Sequence, residues 1–418
     1  MEPQTWWVGI DVGRYFHALC ALNSAGEVVW QRKRVANTTA ALRRTLDELR
    51  VCAGACTVRF ATEEAGGNAR ALMRLLAQRE ETVYLAQPLR VHRFHLALGQ
   101  PHKSDPYDAQ VIAQFARQNH SALPRVRPMA AELEALRVLS RRLEAVSRDL
   151  RRCLNRLRAT LAEYAPEWLV CSVFSDWSTE AALGTLERYA RISKLQRAPL
   201  GRIATALRRW TRGRFGADHA RALQQAFAEV CLPPALEEAY VQALESLLRQ
   251  IRTLLAEKRC LLALLAAQGE SLPQLRTLQA EFGYGPETAA IIVSEAGAVA
   301  DFPTEPKFAT YCGVTPVKRQ SGLSQGSAHL SRFTNKRLLR AIFQATVAAV
   351  RRDQRSRAYY DRKRAGRHDP RANTTALLAL ARHRTRRLYK VLRQAAQPSA
   401  PADGAPREAA SQLTKLAA

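Results

Sequence analysis

The chain has 418 residues and a mass of 46.6 kDa, enough for two or three domains of about 150 residues each. It carries 64 Lys and Arg against 37 Asp and Glu, a formal charge of +27, and its 47% hydrophobic content excludes a wholly disordered protein. No apolar run approaches the roughly 18 residues that a membrane span needs, and the first residues lack the pattern of a secretory signal.

The eight cysteines are scattered along the chain. Only Cys52 and Cys56 lie close together, and no second pair completes a zinc-binding pattern. This usage favours reduced thiols in a soluble, intracellular protein. The positive charge predicts a polyanionic partner, above all nucleic acid, because neutralising phosphates releases counterions and drives binding.

The first 125 residues have the pattern of an α/β domain. Three short strands come first, and helices then alternate with strands, which predicts a mixed sheet with helices packed on it. The predicted strands cover residues 6–13, 17–22, 28–32, a run ending at 62–64, and 82–86; the predicted helices cover 38–50, 68–79 and about 105–118.

The rest of the chain is predicted to be mostly helical. Apolar residues spaced by three or four predict two long amphipathic helices, at 131–164 and about 236–267, which form a coiled-coil middle. Such helices serve oligomerisation or pair antiparallel within one chain, and the pattern leaves both open. The predicted domains are 1–125, 126–270 with a basic insertion at 166–234, and 271–395, followed by a disordered tail at 396–418.

Acidic residues stand at the ends of predicted strands and helices in the first domain. Asp11 follows an apolar strand, Glu63 and Glu64 end another, and Asp105 and Asp108 open a helix on one face. Carboxylate oxygens suit Mg²⁺, and two such ions can polarise a phosphate during phosphoryl transfer. Each acid alone is also a normal helix cap or turn residue. Their combination favours a metal site.

The C-terminal domain carries candidate nucleic-acid motifs. Residues 275–297 resemble a helix-hairpin-helix, in which Gly283 and Gly285 allow a tight turn and present amides to a phosphate. Ser321 lies in a polar, Gly- and Ser-rich loop, and composition alone does not separate it from an ordinary loop serine. A later basic run supplies four further candidate phosphate contacts, Arg351, Arg352, Arg355 and Arg357.

Three N-terminal motifs resemble a known family. GIDVG, the EAGG at 64–67 and KSDPYDAQVIA are similar to the Asp-Glu-Asp-Asp signature of insertion-sequence-110-type transposases, which are distantly similar to the junction resolvase RuvC and include pilin-gene DNA invertases. That family writes its second motif Glu-Ala-Thr-Gly, so Glu64 matches rather than Glu63. The resemblance implies a ribonuclease-H/RuvC-like N-terminal fold and Mg²⁺ bound by Asp11, Glu64, Asp105 and Asp108.

The C-terminal segment also resembles that family. The family's Gly-x-x-Pro, Ser-Gly and Asn-x-x-Leu-Arg motifs correspond here to residues 313–316, to Ser321-Gly322 and to Asn335-Lys336-Arg337-Leu338-Leu339-Arg340. In this pattern Ser321 matches the family's serine nucleophile. The family's basic residue before the last motif is kept as Arg332. The basic residues around these motifs are expected to contact nucleic acid, namely Lys318, Arg319, Arg332, Lys336 and Arg337.

The resemblance implies a DNA transposase of a mobile insertion sequence. Strand cleavage and exchange would depend on Mg²⁺ and pass through a covalent serine–DNA intermediate. The implied partners are DNA at the element ends and target, a guide RNA encoded by the element, and further copies of the chain in a dimer or tetramer, in the bacterial cytoplasm at the nucleoid. The alternatives are a RuvC-like junction nuclease without a covalent step and a non-catalytic nucleic-acid-binding protein.

Overall fold

The protein is described by a computed structural model that covers residues 4–99, 104–318, 328–330, 334–366 and 371–395. The chain divides into two compact units, residues 1–129 and the residues from 130 onward. The predicted tail at 396–418 lies outside the described residues.

The first unit contains a five-stranded mixed sheet. Its strands are β1 (Thr5–Val12), β2 (Phe16–Leu22), β3 (Val28–Ala36), β4 (Thr57–Thr62) and β5 (Thr82–Leu85). The order across the sheet is β3-β2-β1-β4-β5, with β1, β2 and β3 antiparallel and β4 and β5 parallel to β1. The predicted α/β class is therefore confirmed, and this topology is compatible with a ribonuclease-H-like fold.

Helices cover both faces of this sheet. They are α1 (Thr39–Ala53), α2 (Arg70–Gln78), α3 (Pro88–Ala97) and α4 (Asp105–Asn119). One face packs Val8 and Phe60 against α1 and α2, and the other packs Trp7 and Ala61 against α3 and α4. The sequence pattern missed α3, because Val91 is its single fully buried residue and no amphipathic stripe forms.

Helix α4 lies unusually close to β1 at Gly9. A Cβ atom built at Gly9 would lie 2.0 Å from the carbonyl oxygen of Ala109 and 2.4 Å from the backbone nitrogen of Ala113. Only a residue without a side chain permits this backbone-to-backbone approach. The glycine of the GIDVG motif therefore sets the distance between β1 and α4.

Two long helices span the second unit. α5 (Ala131–Tyr164) and α11 (Pro234–Glu270) pack along each other. Arg142 of α5 pairs with Glu257 at 2.6 Å, whereas Tyr164 at the far end of α5 stacks on Tyr240 with ring centroids 5.1 Å apart. The two helices are therefore antiparallel within one chain, one of the two arrangements that the leucine pattern allows.

The basic block between these helices folds as five shorter helices. They are α6 (Glu167–Val170), α7 (Glu180–Tyr189), α8 (Ile192–Arg197), α9 (Leu200–Thr211) and α10 (Ala217–Ala226). Trp168 and Trp177 are buried in a core that also contains Leu157 of α5 and Ile251 of α11. The block is therefore anchored by its apolar residues and turns its basic residues outward.

The chain after α11 is also mostly helical. Its elements are α12 (Pro273–Gln279), α13 (Pro286–Ala296), α14 (Glu305–Tyr311), β6 (Pro316–Lys318), β7 (Ala328–Leu330), α15 (Lys336–Arg352), α16 (Gln354–Arg364) and α17 (Ala372–Ala395). Leu136 of α5 and Leu265 of α11 belong to the same core as Ile292 of α13 and Leu338 of α15. The C-terminal helices thus pack around one end of the long antiparallel pair.

Two further properties of the described chain bear on its surroundings. No helix in the described ranges is long and apolar enough to cross a membrane. All eight cysteines carry free thiols. Burial raises the pKa of Cys20 to about 11, which keeps that thiol protonated and unreactive at neutral pH.

We expect Gly9→Ala to destabilise the first unit by about 3 kcal/mol, because a methyl group there must push α4 away from β1. Hydrogen exchange of α4 and urea unfolding would measure the change. Gly66→Ala is the matched control, since Gly66 has a φ of −120° and no atom within 4 Å of its Cβ position. Wild-type exchange rates in Gly9→Ala would disprove the close approach.

Candidate functional site

The ends of β1 and β4 place two of the predicted acidic positions side by side. β1 and β4 are parallel, with Ile10 opposite Thr62. Asp11 follows Ile10 within β1, and Glu63 and Glu64 follow Thr62 just beyond the end of β4. The carboxyl ends of these neighbouring strands therefore carry acids at one edge of the sheet.

The first turn of α4 brings Asp105 and Asp108 to the same edge. At the other end of α4, Arg117 donates a hydrogen bond of 3.0 Å to the carbonyl of Ser24, whose hydroxyl lies 3.4 Å from the carbonyl of Thr5 at the start of β1. Since α4 crosses β1 at Gly9, its first turn lies toward the end of β1 that carries Asp11. The four predicted acidic positions therefore all lie toward this end of β1, and the first turn of α4 also reaches β3, where Gln31 donates a hydrogen bond of 3.3 Å to the carbonyl of Pro106.

Glu63 and Glu64 differ in their local surroundings. The strand ends at Thr62 and the chain bends at Glu63, so the alternation of the strand does not fix the direction of Glu64. The Thr62 hydroxyl accepts from the Glu64 amide at 3.2 Å, and Oε1 of Glu64 lies 2.1 Å from the position that a Gly67 Cβ would occupy. The Glu64 carboxylate therefore lies over the Cα of Gly67, and its assignment as a ligand stays a prediction.

The four carboxylates do not surround one point. Within the described ranges, no group of three or more His, Cys, Asp or Glu side chains is arranged to hold a metal ion. The Asp108 carboxylate lies 3.8 Å from Nδ1 of His95. Glu64 and Asp105 form no ion pair with any Lys or Arg that the structure describes. Although the chain is strongly basic, the negative charges of Glu64 and Asp105 are therefore not neutralised by a described Lys or Arg.

His17 is a residue of this edge that the sequence analysis missed. It lies opposite Val12 in the sheet and is only 1% exposed. Burial lowers the pKa of His17, so the ring is neutral at pH 7. A histidine inside an apolar strand directly after GIDVG is the signal that could have identified it.

The proposed serine nucleophile lies outside the described residues. The same holds for two other serines of its loop, Ser324 and Ser327, and for the predicted nucleic-acid contacts Arg319 and Arg332. The flanking strands β6 and β7 are described, and they pair antiparallel with Lys318 opposite Ala328. This pairing makes the two ends of the serine loop adjacent.

The Asn-x-x-Leu-Arg motif has a clear structural role at the start of α15. Oδ1 of Asn335 accepts from the amides of Arg337 and Leu338 at 3.1 and 3.2 Å and so caps the helix. Nδ2 of Asn335 donates to the buried carboxylate of Glu295 at 3.0 Å. Arg141 of α5 binds the same carboxylate through two hydrogen bonds of 2.7 and 3.1 Å. Glu295 thereby joins α5, α13 and α15.

A second carboxylate ties α15 to α5. Glu144, nearly buried on α5, accepts from Arg337 at 3.0 Å and also from Arg340. The charge of Arg337, a predicted nucleic-acid contact, is therefore already partly neutralised, whereas its neighbour Lys336 is exposed. Binding of nucleic acid by both residues stays a prediction.

The other predicted nucleic-acid contacts lie on the second unit. Gly283, with a φ of +88°, packs against α15, since a Cβ there would lie 2.4 Å from the carbonyl oxygen of Ala345. Gly285 begins α13 and has open space around it. The helix-hairpin-helix thus stays a prediction. The basic run at the junction of α15 and α16 is exposed, and one member, Arg357, pairs with Asp361 at 2.7 Å.

Two sequence profiles match this chain. Residues 8–166, which include Asp11, Glu64, Asp105 and Asp108, match a transposase profile of the IS110 DEDD type. Residues 275–361, which include Ser321, match the profile of the IS116/IS110/IS902 transposase family. The two matches cover the segments in which the motifs were found.

Three relatives match over nearly their full length, and each match spans 93% of this chain. The 42 kDa protein of insertion element IS900 from Mycobacterium paratuberculosis is 28% identical over 96% of its length. The 43.6 kDa protein of IS110 from Streptomyces coelicolor is 29% identical and the 44.8 kDa protein of IS116 from Streptomyces clavuligerus is 27% identical, each over 94% of its length.

We expect Glu295→Gln to cost about 2 kcal/mol of stability at pH 7, because Arg141 loses the carboxylate that it binds. Burial alone would raise the pKa of Glu295, but the hydrogen bonds from Arg141 and Asn335 outweigh it and hold the pKa below the usual 4.5. The carboxylate thus stabilises the fold above the pKa of the unfolded chain, and this contribution is lost as the pH falls through the lower, folded pKa.

Urea unfolding at pH 7 and near pH 3.5 would measure this effect, and the difference between wild type and Glu295→Gln should shrink at the acidic pH. Glu163→Gln, an exposed position on α5, is the control and should change stability by less than about 0.5 kcal/mol. A difference that is equal at both pH values would show that charge on Glu295 does not stabilise the fold.

Proposed function

The chain belongs to the IS110-type family of insertion-element transposases, and from this premise we propose that it cleaves and exchanges DNA strands with a carboxylate-bound divalent metal and a serine nucleophile. The observation that carries the proposal is that Asp11 on β1, Glu64 after β4, and Asp105 and Asp108 in the first turn of α4 all lie toward the same end of β1. DNA is the substrate that a transposase acts on, and a charge of +27 suits it.

The four carboxylates are the residues that would hold the metal, with Mg²⁺ as the proposed ion. Their donor atoms are all oxygen, which suits a hard cation, and Glu64 and Asp105 are free of described Lys and Arg partners. A bound divalent ion supplies positive charge at the phosphate that reacts. The close packing at Gly9 supports this role, because it holds the first turn of α4 beside the end of β1.

The proposed reaction is a transesterification. The hydroxyl oxygen of Ser321 attacks a DNA phosphorus, a serine O–P bond forms, one DNA P–O bond breaks, and the serine proton is transferred so that the released DNA oxygen leaves as a hydroxyl. A second strand's hydroxyl then attacks the phosphoserine and restores the serine. Each step exchanges one phosphoester for another, so rejoining needs no ATP. The antiparallel pairing of β6 and β7 supports a defined loop base for this serine.

The proposal extends to the partners of the reaction. We propose that a structured RNA encoded by the element directs target choice and that the chain works as a dimer or tetramer in the bacterial cytoplasm, at the nucleoid. The carboxylates lie in the first unit and Ser321 in the second, so a reaction that uses both groups needs the units, from one chain or from two, to act together.

Asp11→Ala, Glu64→Ala and Asp105→Ala should each reduce strand transfer by at least a thousandfold while DNA binding stays within about twofold, because the acids hold metal and do not contact phosphate. A recombination assay and a filter-binding assay measure the two effects. Glu63→Ala is the matched control and should be much milder. If Glu63→Ala abolished strand transfer and Glu64→Ala did not, the metal ligand after β4 would be Glu63.

Ser321 should become covalently joined to DNA. Mass spectrometry of protein trapped on a nicked substrate with Mg²⁺ would locate the adduct, and Ser321→Ala should abolish it. Ser324→Ala, in the same loop, is the control and should keep the adduct. An adduct on Ser324 would move the nucleophile, and efficient cleavage with no adduct would favour a hydrolytic nuclease.

A further inference from the structure

The corner where α7, α8 and α9 meet forms a cationic cleft in the basic central block. Its volume is about 520 Å³. Five basic side chains line it, and no acidic residue does; these are Arg188, Arg191, Lys194, Arg197 and Arg202. No motif in the sequence marks this site, and the proposed chemistry makes no use of it.

Four of these five cations are free of carboxylates. Arg191 pairs with Glu238 and lies 3.8 Å from Glu237. The other four side chains are exposed, and none of them forms an ion pair within the part of the chain that the structure describes. Arg188 makes only a cation–π contact, 5.7 Å from the ring centre of Tyr189. Like charges around one concavity repel each other, and an anion with several negative oxygens relieves this repulsion.

Tyr189 supplies a second, independent indication of a ligand. It lines the cleft, is only 2% exposed, and its buried hydroxyl has no hydrogen-bond partner among the described residues. An unsatisfied buried donor is costly, and buried hydroxyl groups nearly always have a partner. Because less than 1 Å² of this hydroxyl is exposed, a phosphate oxygen can accept its hydrogen bond only after side chains that cover Tyr189, such as Arg188 over its ring, move aside.

A second cleft, between α5 and α11, lacks these properties. It is lined by Arg152, Arg156 and Arg249 but also by Asp149, which pairs with Arg152 at 3.2 Å. Its charge is partly compensated, and none of the buried hydroxyl groups without a partner lines it. The comparison singles out the α7–α8–α9 cleft as the stronger anion site.

We propose that the α7–α8–α9 cleft binds the phosphodiester backbone of nucleic acid and that Tyr189 donates a hydrogen bond to one of its phosphates. The cleft offers only donors and positive charges, which suit phosphate oxygens and read no base sequence. This proposal rests on the proposed function, because that function supplies the nucleic acid. The role of the cleft is to anchor DNA or RNA, and its residues are far in sequence from both proposed catalytic motifs.

The test replaces the four unpaired cations in the full chain, as R188Q/K194Q/R197Q/R202Q. Binding to a 30-base-pair DNA duplex and to an RNA hairpin is measured over a range of salt. For the nucleic acid that uses the cleft, affinity should fall roughly tenfold or more near 0.1 M salt, and the slope of log K against log salt should become shallower by about 3. The nucleic acid whose affinity falls in this variant is the one that occupies the cleft.

The matched control removes the same charge from the other end of α9, as R208Q/R209Q/R212Q/R214Q. All four side chains are exposed and outside the cleft. The control should weaken binding by less than about threefold. Equal losses in the two quadruple variants, or no loss in the cleft variant with either nucleic acid, would overturn the proposal.

Tyr189→Phe tests the hydroxyl separately. It should weaken binding by about three- to tenfold and leave the melting temperature of the free protein unchanged or slightly raised, because the hydroxyl has no partner to lose. Unchanged binding would remove Tyr189 from the site. A wild-type chain that binds neither nucleic acid would instead refute the proposed function, so the two failures are distinguishable.

Discussion

The contact between β1 and α4 at Gly9 is the constraint on which the first unit's candidate site depends. Two backbones meet there with no side chain between them, so no larger residue fits at position 9 unless α4 moves away from the sheet. Asp11 lies two residues further along β1, and Asp108 immediately precedes Ala109 at the crossing point. A motif glycine thereby positions acids that are almost a hundred residues apart in sequence.

The second unit obtains its rigidity from a different device. Glu144 and Glu295 are carboxylates with little exposure that each bind side chains from other helices. Removing one partner from such a cluster leaves a desolvated charge, so the cluster specifies how α5, α13 and α15 meet. Asn335 links this cluster to the helix that follows the serine loop. Residues of this motif therefore fix the start of α15 to α13 and α5.

Sequence patterns identified most of the architecture because periodicity reports burial on one face. The five strands and the two long helices followed from alternating or three-to-four spacing, and the structure has them within a few residues of the predicted bounds. The pattern missed α3, where a single residue is fully buried. It also could not choose between an oligomer and an intramolecular pair for α5 and α11, because both arrangements bury the same stripe. That choice is set by contacts such as the one between Arg142 and Glu257.

The candidate site was less predictable for a related reason. The sequence shows that an acid follows a strand, but the direction of its side chain depends on where the strand ends. Because the chain bends after Thr62, the alternation of side chains along the strand does not predict the directions of Glu63 and Glu64. His17 was missed because it sits in an apolar strand and resembles a core residue by position alone.

Both units contain charged side chains that have no partner of opposite charge among the described residues. Glu144, Glu295 and Glu238 each bind arginines and fix helices to each other. Glu64 and Asp105 have no such partner within the described residues, and the same is true of the four exposed cations around Tyr189. Like charges held near each other repel, and a ligand of opposite sign relieves this repulsion. Unpaired carboxylates suit a metal cation, and unpaired cations suit a phosphate chain, which are the two ligands that the proposed function requires.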